Sequence, residues 1–319
     1  MNNIKKIQEK LIEKNLDAVL VTDEKNQRYA TGFPFTDGAV IVARSAAWLI
    51  TDSRYIEAAT NTAACCCNVQ MFDREHSRLS LIQAALKEAG VERLGAEEEK
   101  LSHAGYLGYE KALGMELLPA QAIFSELRAS KSEEEIGYLR EAQAISEKAL
   151  AEVLRIIKPG MTERQVAAEL VYHMLLNGSE GNSFDPIVIT GKKTSMPHGV
   201  PGDEVIHEGD FVTMDFGCLK HGYCSDMTRT VAIGYATDEM KNIYNIVLEA
   251  QLAGIAAARA GIPGYEIDAA ARNVITKAGY GQYFGHGFGH SLGLDIHELP
   301  GANLSGKAIM PVGCAVSAE

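Results

Sequence analysis

The sequence predicts an α+β fold in two domains, and three observations carry that prediction. Helix-like and strand-like segments alternate over the first 125 residues. A helix-capping signal opens a second series at Ser132. Beyond it, strands and helices mix without the regular βαβ spacing of a doubly wound sheet.

Composition sets the outer bounds. In 319 residues, 46% hydrophobic and 23% charged, there is apolar material for one large or two ordinary cores; a disordered tail, a collagen-like repeat and a disulfide miniprotein are excluded. Forty-two acidic against thirty basic residues leave a net charge of -12, so nucleic acid is not an expected partner. No run approaches the roughly 18 to 20 apolar residues of a membrane crossing, and the opening segment mixes charge with apolar residues instead of building a signal-peptide core. A soluble, cytoplasmic protein without membrane contact is expected. The six cysteines fit no CxxC metal pair and read as free thiols in a reducing compartment.

Taken in order, residues 3 to 15 place Ile4, Ile7, Leu11 and Ile12 among charges, a helix with one apolar face. The runs at 17 to 21, 38 to 44 and 46 to 51 read as strands, and helices are expected from after Arg74 to Ala89 and over 102 to 112. Together these form a small α/β domain. Ser132 with Glu135 has the spacing of a capping box, Pro159-Gly160 supplies a stop, and Thr162 with Gln165 repeats the start signal. The joint therefore falls near 126 to 131, dividing 1–128 from 129–319. Strands follow at 186 to 190, 210 to 216 and 228 to 233, with long helices from Asp238 to about Ala260 and from Glu266 to Ala278.

Chemistry concentrates in the second domain, in SMPHG at 195 to 199, TMDFG at 213 to 217, YCSDMTRT at 223 to 230 and FGHGFGHSLGLDIHE at 284 to 298. Asp215 ends an apolar run and Asp226 opens another strand pattern. A hairpin through residues 220 to 222 would bring the two acids together, and a cation between them would relieve their repulsion. Two Asp residues with a histidine and further carboxylates suit Mn²⁺, Zn²⁺, Co²⁺ or Fe²⁺. The plainer alternative has Asp215 capping a turn and Asp226 pairing with Arg229. His286, His290 and His297 lie within twelve residues among glycines that permit close backbone approach, a density that chance seldom produces, although HxxxH alone could also be a surface zinc trap or a satisfied core pair. His198 could contact substrate or simply brace its loop, whereas His173 and His207 read as structural. The lysines at 192 and 193 read as local, and no GxSxG, HExxH or phosphate-binding GxxxxGK motif occurs.

These motifs, in this order from about residue 132 to the last residue, resemble the creatinase, prolidase and methionine aminopeptidase superfamily of pita-bread metallopeptidases. The segment LITDSRYIEAA at 49 to 59 looks like the amino-terminal domain of aminopeptidase P and prolidase. The resemblance implies that Asp215, Asp226, His290 and Glu319 are metal ligands, with Asp226 bridging two ions and Glu319 also taking a proton from the attacking water. It places His198, His286 and His297 around the substrate. The activity implied is hydrolysis of an amino-terminal Xaa-Pro bond by a hydroxide between two divalent ions, Mn²⁺ foremost, in a homodimer acting on small peptides with proline second. Xaa-Pro dipeptidase activity and a non-enzymatic binding role are the alternatives; creatinase chemistry does not use this ligand set. Family members continue past the Ala-Glu at 318 to 319 with a Pro-Gly turn, a strand and a fifth ligand, a bridging glutamate. The expectation is therefore of a chain cut short before that residue, or else of a naturally defective relative, with one ion or none bound and little activity.

Overall fold

The computed structural model describes residues 2–319, which pack as two units, one ending at Arg128 and the other running from Ala129 to Glu319. In the first, α1 (Ile4–Glu13) buries Ile4, Ile7 and Leu11, as its spacing requires. Then come β1 (Ala18–Val21), α2 (Glu24–Thr31), β2 (Gly38–Ala43), β3 (Ala47–Thr51), α3 (Ile56–Ala63) and β4 (Asn68–Met71). The unit continues with α4 (Arg78–Glu88), β5 (Leu94–Ala96), α5 (His103–Leu113), β6 (Leu117–Pro119) and α6 (Gln121–Ala129), which ends at the division. The six strands form one mixed sheet in the order β4-β3-β2-β1-β5-β6, antiparallel in its centre and parallel on both flanks. Every residue of β1, β2 and β3 is buried, the condition for unbroken Val/Ile/Leu runs in place of alternation.

Several elements here carry no hydropathy signal. Helix α2 buries the polar Asn26 and Gln27 beside Tyr29 and Ala30 and starts at Asp23, whose side chain accepts from the Asn26 amide. Strands β5 and β6 have three residues each, too short for a period to register.

The second unit opens on α7 (Glu133–Ile156), where Ser132 and Glu135 form the expected capping box; Thr162 and Gln165 form another at α8 (Glu163–Leu176). There follow β7 (Gly181–Asn182), β8 (Ile187–Thr190), β9 (Phe211–Phe216), β10 (Cys218–Lys220), β11 (Tyr223–Cys224) and β12 (Met227–Ala232). Last are α9 (Asp238–Ala257), α10 (Gly264–Lys277), β13 (Gly289–Ser291) and β14 (Glu298–Ala302). The strands form small antiparallel sheets, β12-β9-β8, β11-β10-β7 and β13-β14. Helices α7 and α8 pack on the first two of these sheets through Ile145, Ala149, Val153, Val166, Leu170 and Met174. Helix α9 stops short of Ala260 because Ala258 adopts an extended conformation, and α10 begins two residues early, directly after Pro263. All six cysteines are free thiols.

Candidate metal centre

Asp215 lies next to the last residue of β9, opposite Thr228 of β12, and Asp226 immediately precedes β12. The connecting hairpin turns on His221 and Gly222, whose φ values of 50° and 74° suit a two-residue hairpin loop, between paired Lys220 and Tyr223. Between the two acids, Gly217 packs so tightly on Ser225 that an added Cβ would collide with its carbonyl.

His290 sits in β13, and the last residues of the chain run beside that strand. The Ser317 amide donates to the His290 carbonyl at 2.8 Å and the Glu319 amide to the Phe288 carbonyl at 2.9 Å. This approach needs a glycine at 289, where a Cβ would strike the Ser317 carbonyl. Ser317 Oγ donates to Glu319 Oε1 at 2.8 Å and accepts from the His290 amide at 3.1 Å.

These elements bring Asp226, His290 and Glu319 together, with one ligand atom of each within 4.8 Å of the others. His290 Nε2 is 3.3 Å from Asp226 Oδ2 and 3.0 Å from Glu319 Oε1. Its Nδ1 lies 3.1 Å from the Ser291 carbonyl, which can only accept, so Nδ1 carries a proton and Nε2 is the nitrogen that faces the carboxylates. Burial opposes the charged imidazole, but bonds to Asp226 and Glu319 outweigh it and raise its pKa to about 10. Burial likewise opposes the Glu319 carboxylate, and His290 with Ser317 overcomes this and holds its pKa below the ordinary value.

Asp215 stands outside the trio but within its field. Burial first, and then repulsion from Asp226, push its pKa up to about 7, against a bond from the Thr228 side chain. Its Oδ1 is buried with no hydrogen-bond partner among the described residues. Such an oxygen is costly, and a second carboxylate nearby adds to the cost; one cation relieves both. Carboxylates with an imidazole are a donor set suited to a divalent ion, so the residues present fit one. They form a partial divalent-metal cluster. Asp226 pairs with His290, while Arg229 donates to the Thr228 carbonyl.

The ring of His297 meets that of His290 edge to face, centroids 4.2 Å apart. Burial and then the His290 charge hold its pKa below the ordinary value, and the charge of His198 acts in the same direction. His198 and His286 are exposed and are not members of the close trio. His173 faces Glu169 at 3.7 Å and His207 is exposed. Lys193 is local, bonded to Glu163 and Glu204.

Sequence reading did not find the supports. Asp268 is fully buried, binds Arg272 through both oxygens at 2.7 and 2.9 Å, and accepts from the Phe288 amide at 2.9 Å. Arg272 in turn donates to the carbonyls of Phe284 and His286, fixing the glycine-rich segment. The four-residue spacing of Asp268 and Arg272 is legible as a helical pair, but its target is not. Buried Lys131 pairs with Glu298 beside His297 at 2.9 Å, a contact spanning 167 residues. A groove of about 1050 Å³ also reaches Asp226 and Glu319, but none of His198, His286 and His297 lines it.

Two family descriptions match the chain: Creatinase/Prolidase N-terminal domain over residues 3–130, and Metallopeptidase family M24 over residues 137–319. The chain belongs to metallopeptidase family M24, with a creatinase-like α/β domain ahead of a pita-bread domain. Among solved structures it is similar to an Xaa-Pro dipeptidase from Bacillus anthracis, with TM-score 0.94 and 40% identity over 99% of this chain and 88% of that one. It is also similar to an X-Pro aminopeptidase from Thermotoga maritima, with TM-score 0.90 and 33% identity over 96% and 87% of the two chains. An Xaa-Pro dipeptidase of Pyrococcus horikoshii is 34% identical over 99% of this chain and 88% of its own length. No helix among the described residues is long and apolar enough to cross a membrane.

Proposed function

We propose that the protein is a metal-dependent hydrolase of the amino-terminal Xaa-Pro bond of small peptides, built from domains 1–128 and 129–319. The observation that carries the proposal is the convergence of Asp226, His290 and Glu319 beside a buried Asp215 oxygen that has no partner among the described residues. Asp215, Asp226, His290 and Glu319 would hold divalent metal, Mn²⁺ in the reading we favour, two ions when a fifth, bridging glutamate is present and one or none with these four residues alone. When bound, the metal would supply positive charge that acidifies a water and polarises the scissile carbonyl.

The remaining work falls to side chains. Glu319, kept ionised by His290 and Ser317, takes the proton of the attacking water and delivers it to the departing proline nitrogen. His297, whose pKa lies below the usual value, is neutral at pH 7 and donates its N–H to the carbonyl oxygen as negative charge develops, with His198 as second donor. His286 flanks the same position. The acidic cluster attracts a free α-amine, which favours cleavage after one residue. A proline nitrogen brings no amide hydrogen to the scissile bond, so the site need not satisfy one.

Aminopeptidase and dipeptidase are both represented among similar proteins. A homodimer in the cytoplasm completes the reading. The test is hydrolysis of Xaa-Pro-Yaa tripeptides, Xaa-Pro dipeptides and Met-initiated peptides, with Mn²⁺ and with chelator, by the protein carrying the fifth, bridging glutamate. Mn²⁺-dependent release of the first residue from Xaa-Pro substrates is expected, with tripeptides preferred by an aminopeptidase and dipeptides by a dipeptidase. Absence of metal-dependent cleavage throughout the panel refutes the proposal.

A further inference from the structure

His198 projects from an exposed loop, and its neighbours Met196 and Val200 are 57% and 77% exposed. Packing of its own side chain therefore does not hold it in place. Both ends of the loop instead converge on one carboxylate, that of Glu163, the first residue of α8 and fully buried. Glu163 Oε1 accepts from the Thr190 amide at 2.8 Å, and Oε2 accepts from the Gly202 amide at 2.9 Å. Thr190 and Gly202 lie eight residues before and four residues after His198. Oε2 also accepts from Lys193 Nζ at 2.6 Å, and the same ammonium donates to the Val200 carbonyl at 2.9 Å, two residues from the histidine. Within the loop, the Gly199 amide closes on the Met196 carbonyl at 2.9 Å.

We propose that Glu163, acting through Lys193, is the positioning residue for His198. One buried charge closes the loop at its base and braces it at its crown, so the histidine keeps a fixed direction while remaining open to solvent. A side chain with freely chosen rotamers would lose most of its value as a donor to a developing negative charge, which requires placement before the reaction. Glu163 touches no substrate in this scheme. The kinetic part rests on the role given to His198 above, and the structural part does not.

The test compares the parent protein with Glu163→Gln, His198→Ala and the double variant by amide hydrogen exchange and by Xaa-Pro peptide kinetics. Glu163→Gln removes a charged acceptor from two backbone amides, and exchange across 190 to 202 should accelerate about tenfold or more. The amides of Leu170, Met174, Val212 and Met214, in α8 and β9, should keep their parent rates. In kinetics, kcat should fall by roughly tenfold with KM nearly constant, and Glu163→Gln should cost nothing further when added to His198→Ala. Lys193→Met, which leaves the Thr190 and Gly202 bonds in place, should loosen 193 to 200 alone and serves if the glutamine variant does not fold. Unchanged exchange in the loop overturns the proposal, as does equal acceleration in α8 and β9 or a further loss of kcat in the double variant. If the parent cleaves no peptide, the exchange pattern alone decides whether Glu163 fixes the loop.

Discussion

Two carboxylates with buried oxygens, one in each unit, are treated in opposite ways. Glu97 in the first unit is fully buried and meets four donors: the Thr22 amide and hydroxyl, the Asp23 amide and the Asn26 side chain. Asp215 in the second faces Asp226 and leaves Oδ1 without a partner among the described residues. Burial raises the pKa of both. Burial therefore does not distinguish them, and the supply of donors does. A carboxylate whose oxygens are answered by the protein holds the fold together. One with an unanswered oxygen beside a second acid and a histidine leaves a position that a cation would satisfy.

The comparison can be sharpened most strongly at Asp226. A neutral amide is a far weaker ligand for a divalent cation than a carboxylate, so Asp226→Asn should weaken Mn²⁺ binding beyond the roughly 10- to 100-fold typical of losing an outer partner, as read by calorimetric titration. Unaltered affinity would remove Asp226 from the ligand set.

Acidity gives a second handle. In the metal-free protein Asp215 has a pKa raised from 3.8 to about 7, so its share of stability is full below about pH 4 and is lost as pH climbs to 7. His290, raised from 6.5 to about 10, contributes below pH 6.5 and loses its share as pH climbs towards 10. Both have the same sign: the metal-free Tm should fall from pH 5 to pH 9, and the Tm gain on adding Mn²⁺ should grow over the same span. A gain that is constant with pH would break the link between these groups and the cation.

The smallest effect on metal is expected at Glu97. Glu97→Gln disturbs its four donors and should cost about 1 to 3 kcal/mol in denaturant unfolding while leaving Mn²⁺ affinity unchanged. Loss of metal binding in that variant would erase the distinction between the two acids.

The fold was legible where apolar pattern and capping coincide. Helices α1, α7 and α8 and strands β1, β2 and β3 follow from their periods, runs and Ser132/Glu135 or Thr162/Gln165 boxes. Helix α2 was not, because its buried Asn26 and Gln27 are polar and their partners lie elsewhere in the chain. At the site, the histidines announced themselves by their density among glycines. Asp226 and His290 lie 3.3 Å apart, a proximity that the density by itself does not encode. The residues that hold the site were silent for a physical reason. Glu163 reads as an ordinary first-turn acid of a helix, and only contacts 27 to 39 residues away give it a purpose. The orphaned oxygen of Asp215 is likewise a property of three-dimensional surroundings that no local spacing encodes.

The central claim is that Asp215 is kept for a cation and not for the fold, and the paired measurement of metal-free stability and Mn²⁺ affinity in Asp215→Asn tests it most directly. Neutralising a charge whose buried Oδ1 has no partner among the described residues should leave the metal-free protein as stable as the parent or more so at pH 8, while Mn²⁺ binding weakens. A metal-free protein destabilised to the same degree as Glu97→Gln, with Mn²⁺ affinity intact, would contradict the account.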